Sequence, residues 1–245
     1  MTLLKKTAKG IIRFIFGILF LDFFIYIFSK VLYFLSKLLY LKDWRFGKER
    51  PLFFKHQINF NLWRFDPGEW RFCARGIYAR EKMFPNCKVL DLCCGDGCYS
   101  FLFFADIASH IDAIDFKAPL LYAKKYYKHP KIYYKEVNII DDPLPANDYD
   151  IIVWNASICL FNLDEIHLIL NKIINSGNPK MILCGMLPKA NGHLDHKTEF
   201  KNVDELRIIF EPYFNEIDIK EVIDGNDANV ATFYFSLTSS KQTLS

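Results

Sequence analysis

The segment Lys88–Ser100, KVLDLCCGDGCYS, concentrates the chemistry-bearing residues of this 245-residue chain. An apolar run carries Asp91 and then breaks into a Cys93-Cys94-Gly95-Asp96-Gly97 turn. Such a turn could coordinate a metal, cradle a phosphate, or seat another nucleotide-like cofactor. Spacing argues against the metal. A structural zinc site draws paired Cys-x-x-Cys or Cys/His ligands from separate hairpins, and Cys87, Cys93, Cys94 and Cys98 show no such repeat. The odd total of seven cysteines, with Cys73, Cys159 and Cys184 scattered elsewhere, reads as buried free thiols in a reducing compartment. A dinucleotide phosphate is disfavoured as well. The fingerprint for it needs a third glycine, where this chain has Ser100, and Asp91 and Asp96 would confront the anion. Twenty residues beyond Gly95 lies Asp115, which could accept two hydrogen bonds from a ribose diol. Each such charge-assisted bond is worth roughly 1.5–3 kcal/mol. Gly95 and Gly97 let the backbone approach a ligand closely. Together these residues describe an adenosine seat in acidic surroundings, suited to a cofactor with an amino group and a sulfonium.

The elements that must hold this turn alternate in type. Helical spacing predicts a helix over 68–84, ending before Pro85. KVLDL (88–92) reads as a short buried strand of the parallel type. A helix after the glycine turn, a strand at 110–115, a helix at 118–128 and a strand at 131–140 follow. Next come a strand at 148–155, a helix at 163–176 with Ile166, Ile169, Leu170 and Ile173 inward, and a strand at 180–187. The chain closes with a helix at 203–214 and strands at 216–223 and 230–237, joined by a short polar turn. This alternation implies an α/β, Rossmann-like, doubly wound and mainly parallel sheet of seven strands. The two last strands must form an antiparallel hairpin, because no helix separates them. Ligands of such sheets bind outside the carboxyl ends of the strands, where the glycine turn lies.

At this point the chain resembles the class I S-adenosylmethionine-dependent methyltransferases. The carriers are VLDLCCGDG, the acidic second-strand motif IDAID, the segment VNIIDDPLP, and DYDIIVWNASICLF on the fourth strand, within residues 68–237. The resemblance implies that Asp91 and the backbone at Cys93, Cys94 and Gly95, with Gly97, serve the amino acid end of S-adenosyl-L-methionine. It implies that Asp115 holds the ribose hydroxyls. Asn138 stands where the family usually has an aspartate near the adenine amino group, and its carboxamide oxygen could accept the same bond without the charge. Cys93 replaces the first of three usual glycines. Two structural alternatives stand beside these roles: Asp115 as a strand-end cap and Asp96 as a helix N-cap.

Methyl transfer from a sulfonium is a direct displacement, so alignment and exclusion of water supply much of the catalysis. A general base is needed only where the acceptor must lose a proton. Candidates are Asn155 and Ser157 after the fourth strand, and His193 and His196 in the loop after the fifth. Solvent-exposed loop histidines are the plainer reading of the latter two. The segment HQINFNLWRFDPGEW (56–70) could fold over the cofactor as a lid. NASI after the fourth strand lacks the Asn-Pro-Pro-aromatic signature of amino-methylating nucleic-acid enzymes, and no Pro-Cys pair suggests cytosine chemistry. A formal net charge of +3 gives no warrant for a nucleic-acid partner. Two alternatives are an aminopropyl transferase, which would need an acidic pair where Asn155-Ala156-Ser157 stands, and a methyltransferase-fold binding module without catalysis.

Hydrophobic content of 51% and 24 phenylalanines are high, and the excess gathers at the N-terminus. Between Ile11 and Phe28 only Arg13 and Asp22 clearly interrupt an apolar run. As a helix it would reach about 27 Å, just short of a bilayer's hydrocarbon core. Lys30 and Lys37 then share one helical face opposite leucines, a pattern suited to a helix in the headgroup plane. A hydrophobic hairpin packed on protein is the competing reading. The expected organisation is a membrane-anchor segment at 1–42, a linker or lid at 43–67, the cofactor-binding domain at 68–238 and a polar tail at 239–245. Basic residues after the apolar run favour a membrane-associated protein whose catalytic domain faces the cytoplasm. The anchor makes a lipid-like or other amphiphilic small-molecule acceptor the natural expectation.

Overall fold

A computed structural model describes residues 70–190, 196–223 and 231–240, together with 23–24, 27–28, 30–32 and 34–35 of the N-terminal part. The chain divides into two compact units, Met1–Pro67 and Gly68–Ser245. The expected lid up to residue 69, the whole linker, His193, most of the anchor and the end of the tail lie outside the described residues, while Trp70, the last residue of the expected lid, begins a helix.

In the second unit, helix α1 (Trp70–Glu81) leads into strand β1 (Lys88–Leu92). Strand β2 (His110–Asp115), helix α2 (Lys117–Tyr126), strand β3 (Ile132–Glu136) and strand β4 (Tyr149–Asn155) follow. Helix α3 (Leu163–Ser176), strand β5 (Gly177–Pro188), helix α4 (Val203–Phe210) and strands β6 (Phe214–Ile223) and β7 (Ala231–Ser240) complete the domain. The seven strands form one sheet in the order β3-β2-β1-β4-β5-β7-β6. Strands β1 to β5 pair in parallel, and β7 runs antiparallel between β5 and β6. The sequence expectation of a doubly wound sheet with a closing hairpin is what the chain forms.

Alternation along the strands divides the core into two layers. Leu90, Leu92, Ile152 and Trp154 pack with Ile166, Ile169, Leu170 and Ile173 of α3 and with Leu206 and Phe210 of α4. Val89, Ile111, Ala113, Ile151 and Val153 face the other way, against Ala79 of α1, Phe104, and Leu120 of α2. Strands covered on both faces read as continuous apolar runs, which explains why their sequences lack polar alternation.

Several boundaries differ from the sequence expectation, each for a local reason. The helix expected after the glycine turn is short and under-wound: Ala105 N–H donates to Ser100 O at 3.0 Å, an i to i−5 bond, across the π-helical stretch Ser100–Phe104. Strand β3 stops at Glu136 because Asn138 turns the chain, its Oδ1 accepting from Ile140 N at 3.1 Å and its C=O from Asp142 N at 2.8 Å. Ile77 is exposed on α1, although it stands at helical spacing with Cys73 and other apolar residues of that segment. Strand β7 runs to Ser240, into the segment expected to be a tail. Helix α3 begins in a reciprocal cap: Glu165 N–H donates to Asn162 Oδ1 and Asn162 N–H to Glu165 Oε2, both at 2.8 Å. Asn202 and Glu205 start α4 in a related way, with Glu205 N–H donating to Asn202 Oδ1 at 2.9 Å.

In the first unit, the described residues between Phe23 and Leu35 are helical, with Phe23, Phe24, Phe28 and Phe34 exposed. No helix among the described residues is long and apolar enough to cross a membrane.

Candidate active site

Strand β1 delivers Asp91 and the turn to the carboxyl edge of the sheet, between β2 and β4. The turn is built from left-handed residues: Cys93 at φ 53°, Gly95 at φ 61° and Gly97 at φ 78°. Cys93, in a position that favours glycine, adopts this conformation with a side chain attached. A Cβ at Gly95 would meet no atom within 4 Å, so the backbone is bare on that side. At Gly97 it would strike the Tyr134 ring at 2.6 Å, so only glycine fits beneath that aromatic.

Asp115 ends β2 next to the turn and is held by two backbone donors. Gly95 N–H donates to Oδ2 at 2.8 Å and Phe116 N–H to Oδ1 at 2.7 Å. The carboxylate is thus oriented by the glycine turn itself. The strand-end cap and the ligand role are compatible, since an ionised carboxylate offers about four acceptor positions.

Asp91 and Asp96 are buried beside it. Ser100 Oγ donates to Asp91 Oδ2 at 2.6 Å, and Cys98 N–H donates to Asp96 Oδ1 at 3.2 Å. That second bond is an Asx turn and not the expected N-cap, because Gly97 between the two residues is left-handed and its own C=O accepts the first helical bond, from Phe101 N–H at 3.1 Å. Asp96 Oδ2 is buried with no hydrogen-bond partner among the described residues. Burial pushes both carboxyls up to about 7, with the charge of Asp115 adding to the rise. Neither has a cationic partner among the described residues. Burial likewise raises the thiols of Cys94 and Cys98, so neither is a thiolate at neutral pH. Among the described residues no group of three His, Cys, Asp or Glu side chains could hold a metal.

Asn138 sits in the loop after β3, its carboxamide committed to that loop. Besides the Ile140 bond, its Nδ2 donates to Asp141 Oδ2 at 2.5 Å. Lys172 of α3 clamps the loop by donating to the carbonyls of Ile139, Ile140 and Asp142 at 3.0, 2.6 and 2.8 Å. No signal in the sequence pointed to this clamp.

Strand β4 ends as β1 does, in a left-handed residue: Ala156 at φ 55°, its N–H donating to Met186 O at 2.6 Å. Leu92 pairs with Trp154, so Asn155 follows directly beside the glycine turn. Asn155 and Ser157 are both buried, and among the described residues neither the carboxamide of Asn155 nor Ser157 Oγ has a hydrogen-bond partner. Buried polar groups are nearly always satisfied, so each exception calls for an explanation, a bound ligand or water among them. The segment after β5 returns to this edge. Lys197 and Thr198 N–H donate to Cys159 O at 2.8 and 3.2 Å, and Thr198 Oγ1 to Phe161 O at 2.7 Å. His196 therefore lies on a stretch tied to the turn after β4, but its Nδ1 pairs with Glu199 Oε1 at 3.4 Å. The expectation of a solvent-exposed loop histidine is corrected here: the His196 side chain is only 9% exposed.

Sheet order, glycine turn and strand-end carboxylates together define the fold of class I S-adenosylmethionine-dependent methyltransferases. Residues 89–180 match the sequence family described as a methyltransferase domain. Among solved structures, the N-methyltransferase NodS from Bradyrhizobium japonicum WM9, in complex with S-adenosyl-L-homocysteine, superposes with TM-score 0.59 at 14% identity. That match covers 74% of this chain and 93% of the other. Human N-acetylserotonin methyltransferase in complex with SAM matches at TM-score 0.54 and 14% identity, over 74% of this chain and 58% of its own. A TehB-like SAM-dependent methyltransferase from Corynebacterium glutamicum matches at TM-score 0.51 and 16% identity, over 70% and 95%. No curated protein sequence matches the chain.

Proposed function

We propose that the protein binds S-adenosyl-L-methionine at the β1–β2 edge and transfers its methyl group to a small amphiphilic acceptor. The observation that carries the reading is the pair of buried carboxyls, Asp91 and Asp96, standing beside an oriented Asp115 with no cation among the described residues to balance them. A cofactor bearing an ammonium and a sulfonium supplies that balance, and its sulfonium makes the methyl group electrophilic. Asp115 would hold the ribose diol, and the backbone of Cys93, Cys94, Gly95 and Gly97 would approach the amino acid end. Asn138 acts through its loop more than through a free carboxamide. On the acceptor side, Asn155 and Ser157 offer a donor and acceptors at the edge where the methyl group leaves, with His196 nearby as a base wherever a proton must be removed. Displacement at carbon needs alignment above all, which these fixed groups would provide.

The apolar side chains exposed between Phe23 and Leu35 support membrane association in the headgroup plane. The basic flanks favour a cytoplasmic catalytic domain. Calorimetry on the full chain tests the cofactor: S-adenosylmethionine and S-adenosylhomocysteine should bind and NADH should give no heat. Asp115→Ala should weaken the first two at least about tenfold, the loss of about one charge-assisted bond. An unchanged affinity removes the ribose assignment. Methyl incorporation into a lipid extract, compared with a polar extract, identifies the acceptor class.

A further inference from the structure

We infer that the outer face of α2 and the turn into β3 form an electrostatic docking surface for an anionic lipid bilayer. Between Phe116 and Lys135 the chain carries Lys117, Lys124, Lys125, Lys128, Lys131 and Lys135, and no aspartate or glutamate. Elsewhere Gly68–Ser245 is richer in carboxylates than in lysine and arginine, so the positive charge is local. Two of these lysines are engaged inside the fold: Lys131 Nζ donates to Ala108 O at 2.7 Å, and Lys135 pairs with Asp112 at 2.7 Å. The other four are exposed.

Helical geometry gathers them. Lys117, Leu121, Lys124 and Lys125 recur at the spacing of one face of α2, with Lys128 two residues beyond its end, while Leu120 and Ala123 on the other face are buried. Leu121 stands in the middle of the basic face, 62% exposed. Phe116 at the start of the helix is 60% exposed and Tyr126 53%, with Lys125 Nζ lying 5.0 Å from the Tyr126 ring centre. Lysines around projecting leucine and aromatic side chains suit the headgroup region, which takes the cations at its phosphates and the apolar groups just beneath. A nucleic acid would satisfy the lysines and leave Leu121 in water. Charge complementarity and the protruding apolar groups therefore select the bilayer.

The surface starts one residue after Asp115, whose Oδ1 accepts from Phe116 N–H, so a docked membrane would lie against the mouth of the candidate site. That bearing on a lipid-embedded acceptor rests on the methyl-transfer reading; the docking itself does not, and its test reads no catalysis.

The full chain should be partitioned between buffer and phosphatidylcholine vesicles with and without phosphatidylserine. The quantity read is the ratio of the two affinities, which cancels apolar contributions common to both vesicles. Each lysine near an anionic surface contributes roughly fivefold. The double variant K124E/K125E should lower the ratio at least about twentyfold, and K124Q/K125Q, which spares the helix end from new negative charge, by about tenfold or more. The same reversal elsewhere on the domain, K201E/K220E, should change it less than about threefold. The proposal is overturned if the two reversals act alike. It is equally overturned if K124E/K125E leaves the vesicle ratio unchanged while abolishing binding to an RNA oligonucleotide.

Discussion

Two groups of buried carboxylates on opposite faces of one sheet have been treated in opposite ways. Asp112, in the middle of β2, shares the face of Ile114 and is completely buried. Lys135 reaches it at 2.7 Å, Tyr149 Oη donates at 2.5 Å and His110 Nε2 lies at 3.1 Å. Burial alone would push its carboxyl up, but the bonds from Lys135, Tyr149 and His110 outweigh this and hold it below the ordinary value. Asp91 and Asp96 are as deeply buried, with hydrogen bonds and no cation, and they rise to about 7. One charge is balanced by the protein; the others wait for something to balance them. Burying an unpaired charge costs several kcal/mol, so Asp91 and Asp96, near the carboxyl edge of the sheet, do not serve stability, and carboxyls shifted in this way are candidates for a functional site.

The comparison breaks most visibly at Asp112. Asp112→Ala strands the inner end of this network and should cost about 3–5 kcal/mol, read from urea unfolding. Asp91→Asn should go the other way: at pH 8 the unliganded protein gains about 2 kcal/mol, because an ionised group no longer has to be buried. The same variant should lose S-adenosylmethionine affinity by tenfold or more. A stability loss at Asp91 comparable to that at Asp112 would erase the distinction between the two groups.

Dependence on pH sharpens it further. Asp91 and Asp96 have folded values near 7, above the unfolded value of 3.8, so the folded state binds more protons between those limits. Stability contributed this way is present at low pH and is lost as pH rises from about 4 to about 7. S-adenosylmethionine, which favours the ionised carboxyls, should bind more tightly as pH rises through 7 and should raise Tm more at pH 8 than at pH 6. An affinity independent of pH in that window would remove the electrostatic part of the cofactor reading.

What the sequence made legible follows the same division. Asp91, Gly95, Gly97 and Asp115 stand out in the sequence because they are spaced along one turn and one strand end, and the bond from Gly95 N–H to Asp115 Oδ2 is that spacing realised in space. The α/β order was readable from runs such as DYDIIVWN, since strands covered on both faces must be apolar throughout. Asp112 was not noticed within the same HIDAID segment that yielded Asp115, because its partners come from 135 and 149 and nothing local marks it. The loop clamp by Lys172 was hidden for the same reason. Asn138 was placed by resemblance, and the structure commits its amide to a turn that no periodicity announces. The N-x-x-E caps of α3 and α4 are local and stand in the sequence as NLDE and NVDE.

The smallest predicted effect tests how far the balance at Asp112 depends on each partner. Tyr149 is fully buried, and its hydroxyl donates to Asp112 Oδ2. Tyr149→Phe keeps the packing and removes one donor to a charged acceptor, a loss of about 1.5 kcal/mol at neutral pH. Because Asp112 has a depressed folded value, its contribution is present above the ordinary carboxylate range and disappears as pH falls through the folded value. The wild type and Tyr149→Phe should therefore converge in stability toward strongly acid pH and separate above it, the reverse of the pattern expected at Asp91. Parallel curves across the whole range would mean that Tyr149 contributes through packing alone, leaving Lys135 and His110 to hold the Asp112 charge.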